Sequence, residues 1–336
     1  MFTFGLAGNG GGIDPLVFML IALILDAAIG GSRILSGRVR HPVEIIGGLV
    51  EFLDKKLNRP HRSQADRAIR GFLAAALVIV ICLAAGWAVA WLTQNHDFGW
   101  IVELAGLVAL LAQRSLYDHV RAVGHALSNE STEAGRREVS RIVGRDPSLL
   151  DEHGVARSAI ESLAENFSDG VVAPVFWYLL FGFPGLLVYK AVNTMDSMIG
   201  HTSEQYRAYG MTAARLDDIL NLIPARLSGL FIAMAALFTP KSKPVAAVRV
   251  MLRDAAKHRS PNAGWPEGAM AGALGLALAG PRRYANRTVS DPWIGDGTAR
   301  AGPKDISLAL YLFMVACLIN GMWVTALAVI RYSLPG

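Results

Sequence analysis

The sequence predicts an all-α, polytopic integral membrane protein with about six apolar blocks. Of its 336 residues, 53% are hydrophobic and 18% are charged, against about 25% charged residues in soluble domains. The apolar residues come in long blocks, and runs of β-branched residues with period-two alternation are missing. These observations exclude an ordinary soluble enzyme and a disordered chain.

The apolar blocks differ in strength. The blocks at 72–92 and 306–330 carry no charge, and each exceeds the roughly 20 residues that cross a bilayer. A further stretch, 268–280, is too short to cross and predicts a re-entrant or buried helix. Four weaker blocks each contain one ionisable residue and complete the six: 16–31, 100–112, 171–192 and 219–238.

Basic residues are concentrated in three connections. Residues 31–70 carry nine Lys and Arg, 113–170 carry seven and 240–305 carry eleven, which is 27 of the 32 in the chain. Because basic residues are retained on the cytoplasmic side, these connections are predicted to be cytoplasmic and both termini to lie outside. The whole chain, 1–336, is predicted to form one membrane domain, with amphipathic helices in the first two connections and a break at Asp146-Pro147.

Several functional classes are excluded at this point. Membrane orientation and lipid headgroups account for the net charge of +5, so membrane lipid is an expected partner and nucleic acid is not. Cys82 and Cys317 lie inside apolar blocks and predict neither a disulfide framework nor a zinc site. The sequence has no phosphate-binding P-loop motif and no dinucleotide-binding glycine motif after a strand. The N-terminal segment lacks the features of a cleaved signal peptide.

An acidic stretch, ESLAENFSDG (161–170), leads directly into an apolar block. On an α-helix, Glu161, Glu165 and Asp169 have the spacing i, i+4, i+8 and share one face. Like charges at this spacing repel by about 0.2–0.5 kcal/mol per pair. Two interpretations stay open: oxygen ligands for Mg²⁺ carrying phosphates, or a solvated acidic helix end.

A second polar group, NTMDSMIGH (193–201), follows the block at 171–192. Asp196 and His201 are ionisable residues close to a membrane boundary, where such residues often have a function. His201 titrates in the range of a general base near neutral pH. The alternative is a hydrogen-bonded structural histidine.

A third group, RLDDILNLIPAR, covers 215–226. Adjacent aspartates point to different sides of a helix, so at most one of them faces a given ligand, and Asp218 and Asn221 recur on one side. Arg226 lies within an apolar block and must pair or extend to the membrane surface. It is either a headgroup anchor or a clamp for phosphate or carboxylate.

A fourth group, HRSPNAGWPE (258–267), predicts an ordered loop before a helix of small residues. Ser260 or Glu267 caps a helix in one interpretation. In the other, Glu267 is a ligand for a metal or an amine, and backbone amides at the helix start receive an anion. The tail at 291–297 is turn-like and is interpreted as structural.

In this order, the four groups resemble the CobD/CbiB family of cobalamin biosynthesis, the adenosylcobinamide-phosphate synthases. The resemblance extends from about Asp26 to Gly297 and includes His41-Pro42-Val43 with Ile46-Gly47. The longer matching stretches are ESLAENFSDGVVAPVFW (161–177), NTMDSMIGH (193–201), RLDDILNLIPARL (215–227) and SPNAGWPEGAMAGALG (260–275).

The resemblance implies an ATP-dependent amide ligase of late vitamin B12 synthesis. Such an enzyme joins (R)-1-aminopropan-2-ol, or its phosphate, to the free carboxyl of adenosylcobyric acid and gives adenosylcobinamide or its phosphate. ATP and Mg²⁺ are the implied cofactors. The implied location is the bacterial inner membrane, with a cytoplasmic active site and association with later membrane-bound enzymes of cobalamin assembly. The form in which the amine arrives stays open.

The resemblance also implies roles for individual residues, most of them within 161–297. Amide formation in water requires an activated carboxyl, so the site needs metal ligands, phosphate clamps and a base for the amine. The implied metal ligands are Glu161, Glu165 and Asp169. The implied catalytic residues are Asp196, His201, Asp218 and Glu267, with His201 as the base. The implied substrate-binding residues are Asn166, Asn193, Arg215, Arg226, Asn262 and Trp265.

Six full crossings create a geometric conflict. They put 193–218 outside, whereas 161–170 and 258–267 come out inside, where ATP is. Prolines and glycines interrupt the blocks at 171–192 and 219–238, so both blocks are predicted to bend and to bring 193–218 into a cavity that faces the cytoplasm.

A non-catalytic protein is the alternative, either a corrinoid transporter or a regulator like the AmpE proteins. Transport predicts interrupted spans in a repeated arrangement, and the sequence shows no repeat. A regulator does not need the fourth group and the acidic face together.

Overall fold

The computed structural model describes residues 14–31, 41–144, 146–284 and 287–333. Backbone contacts divide the chain into two compact units, and the prediction of a single membrane domain stays a prediction. The first unit comprises Met1–Ala112, Ala173–Leu220 and Val324–Gly336, and the second comprises Gln113–Val172 and Asn221–Trp323.

Helices account for most of the described residues, as predicted. In the first 172 residues they are α1 (Pro15–Ile29), α2 (Pro42–Leu57), α3 (Gln64–Asn95), α4 (Gly99–Leu110), α5 (Gln113–Asn129), α6 (Thr132–Val139), α7 (Glu152–Phe167) and a π-helical turn (Ser168–Val172). The remaining elements are α8 (Ala173–Ile199), α9 (Met211–Leu220), α10 (Leu222–Ala235), α11 (Pro244–Asp254), a 3₁₀ turn (Ala255–Lys257), α12 (Gly264–Leu274), β1 (Leu278–Tyr284), β2 (Arg287–Ile294) and α13 (Pro303–Ser333).

Local sequence determines where the first helices begin. The Asp14 carboxylate accepts the Leu16 N–H at 2.8 Å, and His41 Nδ1 accepts the Val43 N–H at 3.3 Å. Each cap is followed by a proline, whose missing N–H costs nothing at the first helical position. The His-Pro-Val motif is therefore the start of α2.

Among the residues that the structure describes, four helical segments are long and apolar enough to cross a membrane, whereas six crossings were predicted. They are Gln64–Asn95, Gly99–Asn129, Glu152–Ile199 and Pro303–Ser333, and the pair α9 and α10 makes a fifth if it is counted as one broken span. The block at 16–31 forms only the 15-residue helix α1. Large apolar side chains such as Phe72 and Val80 of α3 are about 60% exposed, which suits contact with lipid. The chain is a polytopic membrane protein.

Both blocks that were predicted to bend are interrupted. In α8, Gly182 leaves helical geometry at φ 65° and ψ −160°, and Pro184 follows it. The other block breaks at Asn221, before Pro224. The last carbonyl of α9, on Leu220, accepts a hydrogen bond from the Trp177 indole at 3.1 Å. This carbonyl therefore keeps a hydrogen-bond partner where the helix is interrupted.

Each unit has its own apolar core. In the first unit, side chains of α2, α3, α8 and α9 pack together around Val50, Val78 and Val192. In the second, α7 and α13 meet where the rings of Phe167 and Phe313 pack edge to face at 5.7 Å. The small-residue helix α12 is almost completely buried in this second core.

In the stretch 268–280, the structure differs from two predictions. Helix α12 ends at Leu274, because Gly275 adopts a left-handed conformation at φ 67° and the Leu276 N–H bonds back to the Ala271 carbonyl at 2.9 Å. The chain then enters an antiparallel pair, β1 and β2, although no strand was predicted. Proline in both strands and the irregular register between Ala279 and Pro281 hide the alternation that marks strands in sequence.

Candidate functional site

Three residues that were predicted to bind substrate meet in the second unit. Arg226 lies on α10, whereas Asn262 and Trp265 come from the loop and first turn of α12. The Arg226 guanidinium donates to the Asn262 side-chain oxygen at 3.1 Å and lies 4.6 Å from the centre of the Trp265 ring. A planar cation stacked on an indole is preorganised to bind a carboxylate or phosphate through its remaining N–H groups.

Small residues allow this cluster to form. Ser260 Oγ accepts the N–H groups of Asn262 and Ala263 at 3.2 and 3.3 Å, which fixes the loop before α12. A Cβ at Gly264 would lie 2.1 Å from the Ala255 carbonyl oxygen. A Cβ at Gly229 would lie 3.1 Å from the Trp265 carbonyl oxygen. The backbone of α12 therefore approaches its neighbours closely only because both positions are glycine.

Glu267 is a buried carboxylate beside a histidine. Its residue is 2% exposed, and its Oε1 lies 3.7 Å from His258 Nε2. His258 Nδ1 accepts the Ser260 N–H at 3.0 Å, so the neutral imidazole carries its proton on Nε2, on the side of Glu267. A histidine and a carboxylate at this separation can exchange a proton.

Asp254 anchors the base of the loop that carries these residues. Its buried carboxylate pairs with Arg253 at 2.6 Å and Lys257 at 2.7 Å, and accepts the Gly295 N–H at 2.9 Å. Hydrogen bonding from Arg253 lowers the pKa of Asp254 most, and Lys257 and the Gly295 N–H lower it further against the opposing effect of burial. Asp254 thus ties α11 to the end of β2.

The predicted metal ligands lie in different environments. Glu161 is 6% exposed, and its Oε1 accepts the Ala279 N–H at 2.8 Å. Glu165 is exposed on the last turn of α7, and Asp169 is half-buried in the π-helical turn. Within the described residues, no three His, Cys, Asp or Glu side chains lie close enough together to hold a metal ion.

A Mg²⁺ ion bound mainly through substrate phosphates needs only one or two carboxylates from the protein. Glu165 and Asp169 are compatible with this lower number, whereas Glu161 already supports the backbone of β1. The metal-binding prediction therefore stays a prediction.

Asn166 turns back onto its own helix. Its side-chain amide donates to the Ser162 carbonyl at 2.9 Å and to Ser162 Oγ at 3.1 Å. Ser162 Oγ in turn donates to the Ile142 carbonyl at 2.7 Å. These hydrogen bonds use the side-chain nitrogen of Asn166 and not its side-chain oxygen. If Asn166 binds substrate, it would do so through that oxygen.

In the first unit, Asn193 of α8 donates to the Asp217 carboxylate of α9 at 3.3 Å. Asp217, rather than Asp218, makes this contact, and sequence spacing gave no signal for it. Asp196 and Asp218 are half-buried, and Arg215 is exposed. His201 is exposed too, with its ring centre 6.3 Å from that of Tyr206.

A polar network outside the predicted site holds the segment that follows the second polar group, 193–201. Asn58 donates to Asp54 at 2.8 Å, and Tyr206 donates to the same carboxylate at 3.2 Å. Arg67 donates to Asn58 at 2.8 Å and also to the Gln205 carbonyl. Burial, followed by the Asp54 charge, raises the pKa of Tyr206. The network holds the chain between α8 and α9 against α2 and α3.

Comparison with known proteins adds to this geometry. The profile of the family described as "CobD/Cbib protein" matches residues 19–313. No solved structure matches the chain.

Curated relatives match along almost the whole length. The cobalamin biosynthesis protein CobD of Brucella suis biovar 1 (strain 1330) is 46% identical over 315 residues, 93% of this chain and 96% of that protein. The protein of the same name from Sinorhizobium sp is 48% identical over 318 residues, 94% of this chain and 98% of that protein. The protein of the same name from Rhodobacter capsulatus is 47% identical over 299 residues, 88% of this chain and 91% of that protein.

Proposed function

Because the chain belongs to the CobD/CbiB family, and so has a role in cobalamin biosynthesis, we propose that it is the amide ligase of that process. The reaction joins (R)-1-aminopropan-2-ol, or its phosphate, to the free carboxyl of adenosylcobyric acid, at the expense of ATP. The product is adenosylcobinamide or its phosphate. We propose the bacterial inner membrane as its location, with the catalytic groups on the cytoplasmic side and later membrane-bound enzymes of cobalamin assembly as neighbours.

The observation that carries the proposal is the cluster of Arg226, Asn262 and Trp265. Its guanidinium is stacked at 4.6 Å from the Trp265 ring centre and is hydrogen-bonded to Asn262. Adenosylcobyric acid carries a carboxyl among several amides, so a substrate of this kind offers groups that match both the cation and the neighbouring amide.

The proton transfer is assigned to Glu267. An amine attacks a carbonyl only when it is unprotonated, and it loses a proton as the amide forms. The buried carboxylate of Glu267, with His258 Nε2 at 3.7 Å, is suited to accept that proton. Asp196, His201 and Asp218 stay further catalytic candidates from the family resemblance, and Asn166, Asn193 and Arg215 stay candidates for substrate binding.

The proposed cofactors have limited roles here. ATP bound with Mg²⁺ supplies the phosphoryl group that activates the carboxyl. The protein groups assigned above bind the substrate carboxyl, orient the amine and remove its proton.

Replacing Arg226 with lysine tests the cluster. Lysine keeps the charge but loses the planar fork and the stacking, so we expect the KM for adenosylcobyric acid to rise about tenfold while kcat changes little. Steady-state kinetics of the purified protein in detergent measures both constants.

The matched control is Arg249→Lys, which changes an exposed arginine on α11 and should leave both constants unchanged. An unchanged KM in Arg226→Lys would show that the cluster does not bind adenosylcobyric acid.

A further inference from the structure

A cavity lies in the first unit, beside the first two turns of α3. Its volume is about 700 Å³, within the roughly 300–1,000 Å³ of sites that bind small molecules. Helix α3 forms one wall, and the segment between α8 and α9 forms the other. The lining residues include Gln64, Ala68, Thr202, Glu204, Arg207 and Met211.

The cavity lies at the depth of lipid headgroups. The apolar block of α3 begins at Phe72. At about 1.5 Å of rise per residue, Ala68 lies about 6 Å before Phe72 along the helix axis, and Gln64 lies about 12 Å before it. The headgroup layer on each side of a bilayer is roughly 5–8 Å deep, so Ala68 lies within this layer and Gln64 at its water-facing edge.

The face of α3 that lines the cavity continues into the hydrocarbon layer. Gln64, Ala68 and Phe72 have the spacing i, i+4, i+8 and therefore share one face. Phe72 is 58% exposed, and Met211 on the other wall is 51% exposed. An acyl chain can thus lie against Phe72 while its headgroup occupies the cavity.

Two opposite charges, Glu204 and Arg207, lie on the wall that faces α3. Both residues are exposed, and among the residues that the structure describes neither has a hydrogen bond or an ion pair through its side chain. The nearby Arg62 and Arg70, in contrast, both pair with Asp66 at 3.0 Å. Glu204 and Arg207 therefore keep their full bonding capacity for a ligand.

The segment that carries these two charges is fixed in place. The Gln205 carbonyl accepts hydrogen bonds from Asn58 at 3.2 Å and from Arg67. A Cβ at Gly71 would lie 1.9 Å from the Tyr209 carbonyl oxygen, so the segment packs directly on the backbone of α3. The charged side chains are thus presented by a wall that is ordered before a ligand binds.

The chemistry of this wall selects the kind of headgroup. An arginine with unused N–H groups matches the oxygens of a phosphate. A carboxylate next to it matches an ammonium group that has N–H donors. Because the cavity offers one cation and one acid, a zwitterionic headgroup finds a partner for both of its charges, whereas an anionic headgroup leaves Glu204 facing a phosphate.

We propose that this cavity binds phosphatidylethanolamine, with Arg207 as the partner of its phosphate, Glu204 as the partner of its ammonium and Phe72 in contact with an acyl chain. Soluble phosphate esters of amines share the headgroup chemistry, and the contact with the acyl chain commits the site to a lipid. The site goes beyond the proposed function and does not depend on it.

Native mass spectrometry of the purified full-length protein in detergent tests the site, because it measures a dissociation constant for each added lipid. The probes are phosphatidylethanolamine, phosphatidylcholine and phosphatidylglycerol with identical acyl chains, and glycerophosphoethanolamine, which has the same headgroup and no acyl chain. The variants are Arg207→Gln, Arg207→Lys and Glu204→Gln. Arg249→Gln is the matched control, since Arg249 is an exposed arginine on α11. A thermal unfolding midpoint equal to that of the wild type shows that a variant folds, and the two charged positions are tested independently.

We expect phosphatidylethanolamine to bind about fivefold more tightly than phosphatidylglycerol, the effect of one well-formed ion pair at an exposed position. Phosphatidylcholine, whose ammonium has no N–H, should lie between them. Arg207→Gln should weaken the binding of phosphatidylethanolamine by about fivefold, and Arg207→Lys should recover most of this loss. Glu204→Gln should abolish the preference over phosphatidylglycerol, because the acid that selects the ammonium is gone. Arg249→Gln should change none of these constants.

Equal binding of phosphatidylethanolamine and phosphatidylglycerol by the wild-type protein would overturn the proposal, as would an unchanged dissociation constant in Arg207→Gln. If glycerophosphoethanolamine binds as tightly as the whole lipid, the cavity is a site for a soluble phosphate ester and the lipid assignment is wrong. The binding assay contains neither corrinoid nor ATP, so its result is independent of whether the protein is a ligase.

Discussion

At the scale of single residues, the buried carboxylate of Asp254 connects the loop at 258–267 to the strand pair. It has no exposed surface and contacts Arg253, Lys257 and the Gly295 N–H. Because these contacts lower its pKa in the folded protein, its contribution to stability is complete above the usual aspartate pKa of about 3.9. The contribution is lost as the pH falls below that value.

Asp254→Asn should lower the free energy of unfolding near neutral pH by about 1.5–3 kcal/mol, since hydrogen bonds to charged groups are lost. Thermal unfolding in detergent measures the effect, and the difference from wild type should shrink when the pH is lowered to about 3.9 and below.

Asp296→Asn is the control. Asp296 pairs with the same Arg253 but is 72% exposed, so its loss should leave the unfolding midpoint unchanged. If the thermal unfolding midpoint of Asp254→Asn equals that of the wild type at every pH, the contacts of Asp254 do not stabilise the fold.

At the residue scale, the sequence motifs named some residues that lie together and missed others, and the roles of these residues stay predictions. Arg226, Asn262 and Trp265 were singled out and do lie together. Asp217 was missed in favour of Asp218, because helical spacing gives the relative directions of two side chains but not which neighbouring helix they meet. His258 was missed as the partner of Glu267, because the turn that aligns them depends on a backbone bond to Ser260.

At the scale of helices, α8 leaves helical geometry at Gly182. Its φ of 65° and ψ of −160° belong to a region that is almost exclusive to glycine. Gly182→Ala should therefore cost about 1–3 kcal/mol of stability, measured as a lower thermal unfolding midpoint in detergent.

Gly48→Ala gives the matched comparison. Gly48 lies in α2, and a Cβ there meets nothing within 4 Å, so this change should be neutral or stabilising by up to about 1 kcal/mol. Equal midpoints for both variants would contradict the assignment of Gly182 as a required break.

The sequence predicted the helices well and some of their ends poorly. Charge-free length identified α3 and α13, and internal Pro and Gly identified the two interrupted blocks. The strand pair was missed because its prolines are tolerated only in edge strands, which the sequence alone does not reveal. The π-helical turn at Ser168–Val172 changes the helical register, and the α-helical periodicity used on the sequence does not reveal such a turn.

At the scale of the whole molecule, the distribution of basic residues predicts orientation in the membrane. Cysteine substitution tests it at exposed positions: Ser140→Cys should react with an impermeant thiol reagent only from the cytoplasmic side, and His96→Cys only from the periplasmic side. Ser197→Cys, also exposed, should react from the cytoplasm if the second polar group works with ATP. The background is a protein in which Cys82 and Cys317 are replaced by serine.

Labelling of Ser197→Cys only from the periplasmic side would contradict the cytoplasmic placement of 193–218. Labelling of Ser140→Cys from that side would invert the predicted orientation as a whole.

The central claim is that this membrane protein makes an amide bond. The most direct test supplies the purified protein with adenosylcobyric acid, 1-aminopropan-2-ol O-phosphate and Mg²⁺-ATP, and measures corrinoid product by chromatography together with ATP consumed. The proposed ligase forms the amide in proportion to the ATP hydrolysed, and hydrolysis stops when either organic substrate is omitted. Tight binding of adenosylcobyric acid with neither product nor ATP hydrolysis would contradict the claim and favour a corrinoid-handling membrane protein without catalytic activity.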